Sequence, residues 1–131
     1  MTLINNKIHF ILLAAGNSTR FSKKDNKLLS KLNNKTLLDQ NIDFILKQNF
    51  KKFTIVVDRK SKIEHKLKGL EIIKGGSTRQ ESVINALTKS KYNADYVIIH
   101  DCARPLFFNQ LIKRIVRLIK TNKFDCIVPY S

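Results

Sequence analysis

An α/β fold, a mostly parallel sheet covered by helices on both faces, is what this sequence predicts. Short continuous apolar runs alternate along the chain with amphipathic stretches of helical spacing. The two stretches richest in chemistry each follow directly on an apolar run, at the strand end where open parallel sheets bind ligands. With 131 residues and 43% hydrophobic content, the chain can build one core, so residues 1–131 read as a single domain.

The elements follow in order. Residues 8–13, 53–57 and 96–99 are predominantly apolar runs, the signature of strands buried on both faces. Shorter strands are expected at 70–73 and 126–128. Helices are expected at 36–46, where Leu37, Leu38, Ile42, Phe44 and Ile45 share a side, and at 78–87, where Val83, Ile84 and Leu87 do. A third is expected at 111–119, through Leu111, Ile112, Ile115, Val116 and Ile119. The polar, basic segment 22–34 reads as a mobile loop over the first strand end. Residues 126–131 read as a strand that has just reached the same edge with no closing helix after it, so the domain reads as truncated at its C-terminus.

Composition narrows the function. No apolar run approaches the roughly 20 residues that span a bilayer, and the first residues lack the apolar core of a secretory signal. No membrane partner is expected. Cys102 and Cys126 are far apart and have no metal-ligand spacing, which suits reduced thiols in the cytoplasm. The formal charge of +15 points first to nucleic acid. The basic residues, however, are mostly Lys spread along the whole chain, with no arginine-rich tail and no aromatic-interleaved basic motif. A lysine-rich solvated surface, or attraction of small phosphorylated molecules, accounts for them, and no nucleic-acid partner is expected.

Three stretches carry chemistry. The first runs from Ala14, Ala15 and Gly16 to Arg20, with Lys27 soon after. Small side chains let backbone N–H groups approach an anion, while the Arg fork and the Lys point charge neutralise phosphate oxygens. Arg20 and Lys27 together would stabilise charge building on an α-phosphate during attack. The plain alternative is an ordinary strand-to-helix turn with a surface Arg.

In the second stretch, 75–83, Gly75 and Gly76 release the chain from a strand, and Ser77 or Thr78 caps the next helix. Beyond a cap, the loop's backbone groups and Ser82 would hydrogen-bond the edge of a pyrimidine. The third, 100–105, ends a strand in Asp101, a carboxylate suited to Mg²⁺ held jointly with substrate phosphates. Its plain alternative is a turn or cap Asp. Arg104 would reach a second anionic group, such as the phosphate of an incoming nucleophile. His100 reads as a structural hydrogen-bonder, and Cys102 and Ala103 as small residues admitting a sugar.

In this order the stretches resemble the 2-C-methyl-D-erythritol 4-phosphate cytidylyltransferase family of the non-mevalonate isoprenoid pathway. Its motifs are Ala-Ala-Gly-x-Gly-x-Arg, Pro-Lys, Gly-Gly-x-x-Arg-x-x-Ser-Val and His-Asp-x-Ala-Arg-Pro; here they match residues 14–20, 26–27, 75–83 and 100–105. Ser18 replaces the second loop glycine, and Asn26 the proline. The resemblance implies a Rossmann-like fold and attack of a sugar-alcohol phosphate on the α-phosphorus of CTP, releasing pyrophosphate. It makes Arg20 and Lys27 the transition-state stabilisers and puts Ala14, Ala15, Gly16, Gly76 and Ser82 around CTP. Asp101 would hold Mg²⁺, and Arg104 would lie near the methylerythritol phosphate. It further implies a homodimer at full length, and a missing part that carries the dimerisation arm, acceptor-binding residues and another lysine. Related enzymes act on ribitol 5-phosphate, and bifunctional relatives carry a fused cyclodiphosphate synthase. From another class, the alternative is a non-catalytic basic module binding nucleotide or nucleic acid.

Overall fold

The computed structural model describes residues 2–15, 31–32, 35–60, 70–104 and 109–129. A single helical turn, α1 (Thr2–Asn5), leads into β1 (Ile8–Ala14). The short strands β2 (Lys31–Leu32) and β3 (Lys35–Thr36) precede α2 (Leu37–Lys47) and β4 (Lys52–Val57). Then come β5 (Leu70–Lys74), α3 (Arg79–Lys89), β6 (Tyr96–Asp101) and α4 (Asn109–Thr121).

The main sheet has the order β5-β4-β1-β6, and every pairing in it is parallel. Every residue of β1 is buried, as suits a central strand that is apolar at every position but His9. Alternate side chains enter two cores. Ile8, Phe10 and Leu12 meet Leu38, Ile42 and Ile45 of α2 and Ile112 and Val116 of α4. On the other face, Ile11, Leu13 and Val56 meet Ala86 of α3. In α2, Leu38, Asn41, Ile42 and Ile45 form the buried stripe, and Asp39 and Lys47 sit at the ends that favour their charges. Asn49 and Asn122, just past α2 and α4, take φ values of 60° and 53°, a left-handed conformation that Asn tolerates at helix ends.

The parallel α/β architecture, four of the expected strands and all three helices are present, with ends displaced by a residue or two. Three details differ from expectation. Residues 126–129 form no strand; all but the half-buried Ile127 are exposed, with no ladder partner among the described residues, and strand propensity without a neighbour makes no sheet. Within 22–34, expected as loop, Lys31–Leu32 pairs antiparallel with Lys35–Thr36; the rest of 22–34 lies outside the described residues. And α3 turns Ser82 and Ala86 to the sheet, leaving Ile84 and Leu87 each 49% exposed. Small residues win that face because α3 lies close over Ile11, Leu13 and Val56. Val97 and Ile99 of β6 are also partly exposed.

A polar chain crosses three strands inside this apolar sheet. The Thr54 hydroxyl donates to Glu71 Oε1 at 2.7 Å, so it must accept from His9 Nε2–H, also at 2.7 Å. The Lys91 N–H donates to the other Glu71 oxygen at 2.8 Å, and Tyr92 packs edge-on against His9. Burial lowers the pKa of His9 below the ordinary 6.5; Glu71 opposes that shift and Lys52 adds to it. Desolvation pushes Glu71 up, but hydrogen bonds from Ser90, the Lys91 N–H and Thr54, with the charge of His9, leave it below the ordinary 4.5.

Both groups are harder to protonate in the fold than in the unfolded chain, so acidification favours unfolding. The contribution of His9 is present above pH 6.5 and is lost as pH falls through its depressed value. That of Glu71 is present above 4.5 and is lost likewise below it. Urea midpoints measured from pH 7 downward are expected to fall in both windows. Glu71→Gln should extend the His9 part to lower pH, by removing the charge that holds the His9 pKa up, and should flatten the part below 4.5. Parallel curves for the two proteins below that pH would contradict the assignment.

Candidate functional site

In a parallel sheet all strands finish at one edge, and here that edge gathers the small residues and the charges. Ala14 closes β1 opposite Val57, while Leu13 lies opposite Asp101, the last residue of β6. The ladder runs one step further on both sides: the Gly75 N–H donates to Val57 O at 2.7 Å, and the Cys102 N–H to Leu13 O at 2.8 Å. The end of β1 is thus flanked by the loop after β5 and the turn after β6.

The loop after β5 is built around one close approach. A Cβ on Gly75 would sit 2.6 Å from Ser82 Oγ and 2.8 Å from Ala15 Cβ, so only glycine fits between them. A Cβ on Gly76 would collide with Glu81. Thr78, rather than Ser77, is the N-cap of α3, and accepts from the Glu81 N–H at 3.1 Å. Glu81 reaches back to the N–H and hydroxyl of Ser77 at 2.7 and 2.6 Å, one residue before the usual capping-box partner. Those bonds hold the Glu81 carboxyl below its ordinary pKa. Ser82 is buried; its hydroxyl donates to Thr78 O at 3.0 Å and accepts from the Gly76 N–H at 3.1 Å. Ser82 therefore shapes the loop from within.

The turn after β6 is equally determined. The Arg104 N–H donates to Asp101 O at 3.0 Å, and His100 Nε2 lies 2.6 Å from Arg104 O. A carbonyl only accepts, so His100 carries its proton on Nε2 and closes the turn, as expected of a structural histidine. Burial lowers its pKa below the ordinary 6.5, against the opposing pull of the Arg104 carbonyl and Asp101. The Arg104 side chain is exposed. Asp101 is partly exposed, and Arg79 Nε, from the first residue of α3, lies 3.1 Å from its Oδ1.

Cys102 does not line the edge. It is fully buried in the core beneath α2, where Asn41 Nδ2 donates to its carbonyl at 3.0 Å, and desolvation pushes its thiol pKa up to about 12. Its side chain therefore gives a sugar no room, whereas Ala103 beside it is exposed.

Of the residues singled out in the sequence, Ala14, Ala15, Gly76, Ser82, Asp101 and Arg104 come to this one edge. Gly16, Arg20 and Lys27 lie outside the described residues. Sequence reasoning gives Arg79 and Glu81 no role, yet both are part of the edge. Thr78-x-x-Glu81 is a legible capping pattern. Arg79 was detectable too, since a cation in the first turn of a helix opposes the helix dipole and calls for a carboxylate nearby. Among the described residues no three His, Cys, Asp or Glu side chains cluster. A closed protein cage for a metal is therefore absent there, whereas the single accessible carboxylate of Asp101 suits a hard cation completed by ligand phosphates.

The family model of IspD, 2-C-methyl-D-erythritol 4-phosphate cytidylyltransferase, matches residues 8–129. The chain belongs to that family. It is 41% identical over 125 residues to the bifunctional IspD/IspF enzyme of Pelagibacter ubique, covering 92% of this chain and 33% of that protein. It is 35% identical over 128 residues to the 2-C-methyl-D-erythritol 4-phosphate cytidylyltransferase of Wigglesworthia glossinidia brevipalpis, covering 93% of this chain and 56% of that protein. The structure of bifunctional IspDF from Campylobacter jejuni superimposes with a TM-score of 0.75 at 32% identity, over 88% of this chain and 31% of that one. The chain thus spans about half the length of its single-function IspD relatives.

The Gly75–Ser82 contact yields a double-variant test within this IspD edge. Gly75→Ala is expected to destabilise the protein by about 1–3 kcal/mol through overpacking, and Ser82→Ala by about 1 kcal/mol through lost hydrogen bonds. The pair should cost less than the sum in urea unfolding, because Ser82→Ala removes the hydroxyl oxygen that stands nearest to the new Cβ. Strict additivity would show that Gly75 and Ser82 do not touch.

Proposed function

We propose that this chain is the CTP-handling part of an enzyme that transfers CMP from CTP to 2-C-methyl-D-erythritol 4-phosphate, with release of pyrophosphate. The observation that carries the proposal is the meeting of Ala14–Ala15, Gly75–Gly76 and Asp101–Arg104 at one sheet edge, in a chain of this family. Small residues there let a ligand approach the backbone closely, while Asp101 and Arg104 bring charges of both signs.

The reaction sets the demands. An acceptor phosphate oxygen forms a bond to the α-phosphorus as the α–β P–O bond breaks. A phosphate monoester already carries most of its negative charge near neutrality, so the nucleophile needs no general base, in keeping with His100 bound to a carbonyl. The barrier is the crowding of negative charge, and preorganised cations lower it. In the proposed roles, Arg20 and Lys27 stabilise the transition state. Gly16 with Ala14, Ala15, Gly76 and Ser82 surrounds CTP, the last through the loop that it braces. Arg104 faces the acceptor phosphate. Asp101 would hold Mg²⁺, which when bound neutralises triphosphate charge. A cytoplasmic homodimer completes the proposal; the free thiols Cys102 and Cys126 suit a reducing compartment. Among the described residues, no helix is long and apolar enough to cross a membrane.

The test uses the protein extended to the length of its single-function relatives. Pyrophosphate release should require CTP, Mg²⁺ and the acceptor together. Arg20→Ala or Lys27→Ala should lower kcat by roughly 10²- to 10³-fold while leaving CTP affinity within a few-fold. Unchanged turnover in either variant would overturn its assigned role. Residues 1–131 alone are expected to release little or no pyrophosphate.

A further inference from the structure

We infer that Arg79 is a positioning residue that acts as an internal counter-cation for Asp101: its guanidinium holds the carboxylate in the ligand-free protein and is exchanged for a divalent cation when nucleotide arrives. The inference rests on the proposed role of Asp101 as a metal-holding carboxylate, and adds to it a residue that the reading of the sequence left without a function.

Four observations lead there. Arg79 opens α3, where the helix dipole disfavours a cation, so its placement is explained by Asp101, across the edge at 3.1 Å, and not by its own helix. The contact is single-pronged: Nε meets Oδ1, and among the described residues Oδ2 accepts no hydrogen bond, so the carboxylate keeps a face for a further ligand. Arg79 follows directly on Gly75–Gly76 and the Thr78 cap, so a guanidinium leaving Asp101 stays within the same edge. Finally, the side chains are 62% and 33% exposed. Ion pairs so open to solvent are weak, and one of this strength competes with another cation by no more than about fivefold. Such a pair orients a carboxylate and cancels its repulsion of an arriving triphosphate, yet yields readily. A buried pair would do the first and resist the exchange.

The test is Mn²⁺ binding to the protein in the absence of nucleotide, read by the relaxation of water protons. Arg79→Gln should tighten Mn²⁺ binding roughly two- to fivefold, Arg79→Lys should restore most of the competition, and Asp101→Asn should abolish site binding. Unchanged affinity in Arg79→Gln, with binding still lost in Asp101→Asn, would overturn the role of Arg79 and leave that of Asp101 standing. Wild-type affinity in Asp101→Asn would overturn the metal role of Asp101, and this inference with it. A second measurement needs no variant: with CTP present, the Nε–H resonance of Arg79 should shift further as Mg²⁺ is added to the wild-type protein. A resonance that stays in place at saturating CTP and Mg²⁺ would also overturn the inference.

Discussion

Because β1 pairs in parallel with β4 on one side and β6 on the other, the three strands leave the sheet at nearly the same height. That register puts the small residues ending β1 between the glycine loop and the Asp101 turn. Slipping β6 by one residue would turn Asp101 to the other face of the sheet, away from Arg79. The register is protected by β1 itself, whose side chains are all buried, so that any slip would disturb both cores at once.

The second support is the closeness of α3 to the sheet. A larger residue at Gly75, or at Ser82 or Ala86, would lift the helix and with it Arg79 and the Thr78 cap. The small-residue composition of this loop therefore has two causes that the sequence alone does not separate. Glycine leaves the backbone open to a ligand, and it lets a helix settle on the strand ends. Ser82 shows the overlap: both bonds of its hydroxyl are made inside the loop that it shapes.

Most of the architecture was legible because each buried strand is a predominantly apolar run and each main helix has an apolar stripe. What stayed hidden depends on tertiary neighbours. On α3, Val83 packs against the sheet as expected, but Ile84 and Leu87 were misread, because hydrophobicity marks a buried face only where the space beneath admits large side chains. Residues 126–128 have strand composition but no partner to pair with among the described residues. Cys102 stands within a chemical motif and yet points into the core, because it continues the strand alternation that puts Tyr96 and Ile98 on the same face, a period-2 signal that the motif masked. The edge location of Ala14, Gly76, Asp101 and Arg104 was legible from strand polarity. The partnership of Arg79 with Asp101, 22 residues apart in the chain, was not.

The uncovered aliphatic side chains bear on how the protein behaves in concentrated solution. Ile84 and Leu87 on α3, and Val97 and Ile99 on β6, offer surface that water wets poorly. A formal charge of +15 keeps copies apart by mutual repulsion. Colloidal stability is therefore tied to ionic strength: adding salt shortens the reach of that repulsion, to about 3 Å at 1 M, and lets these oily flanks come together.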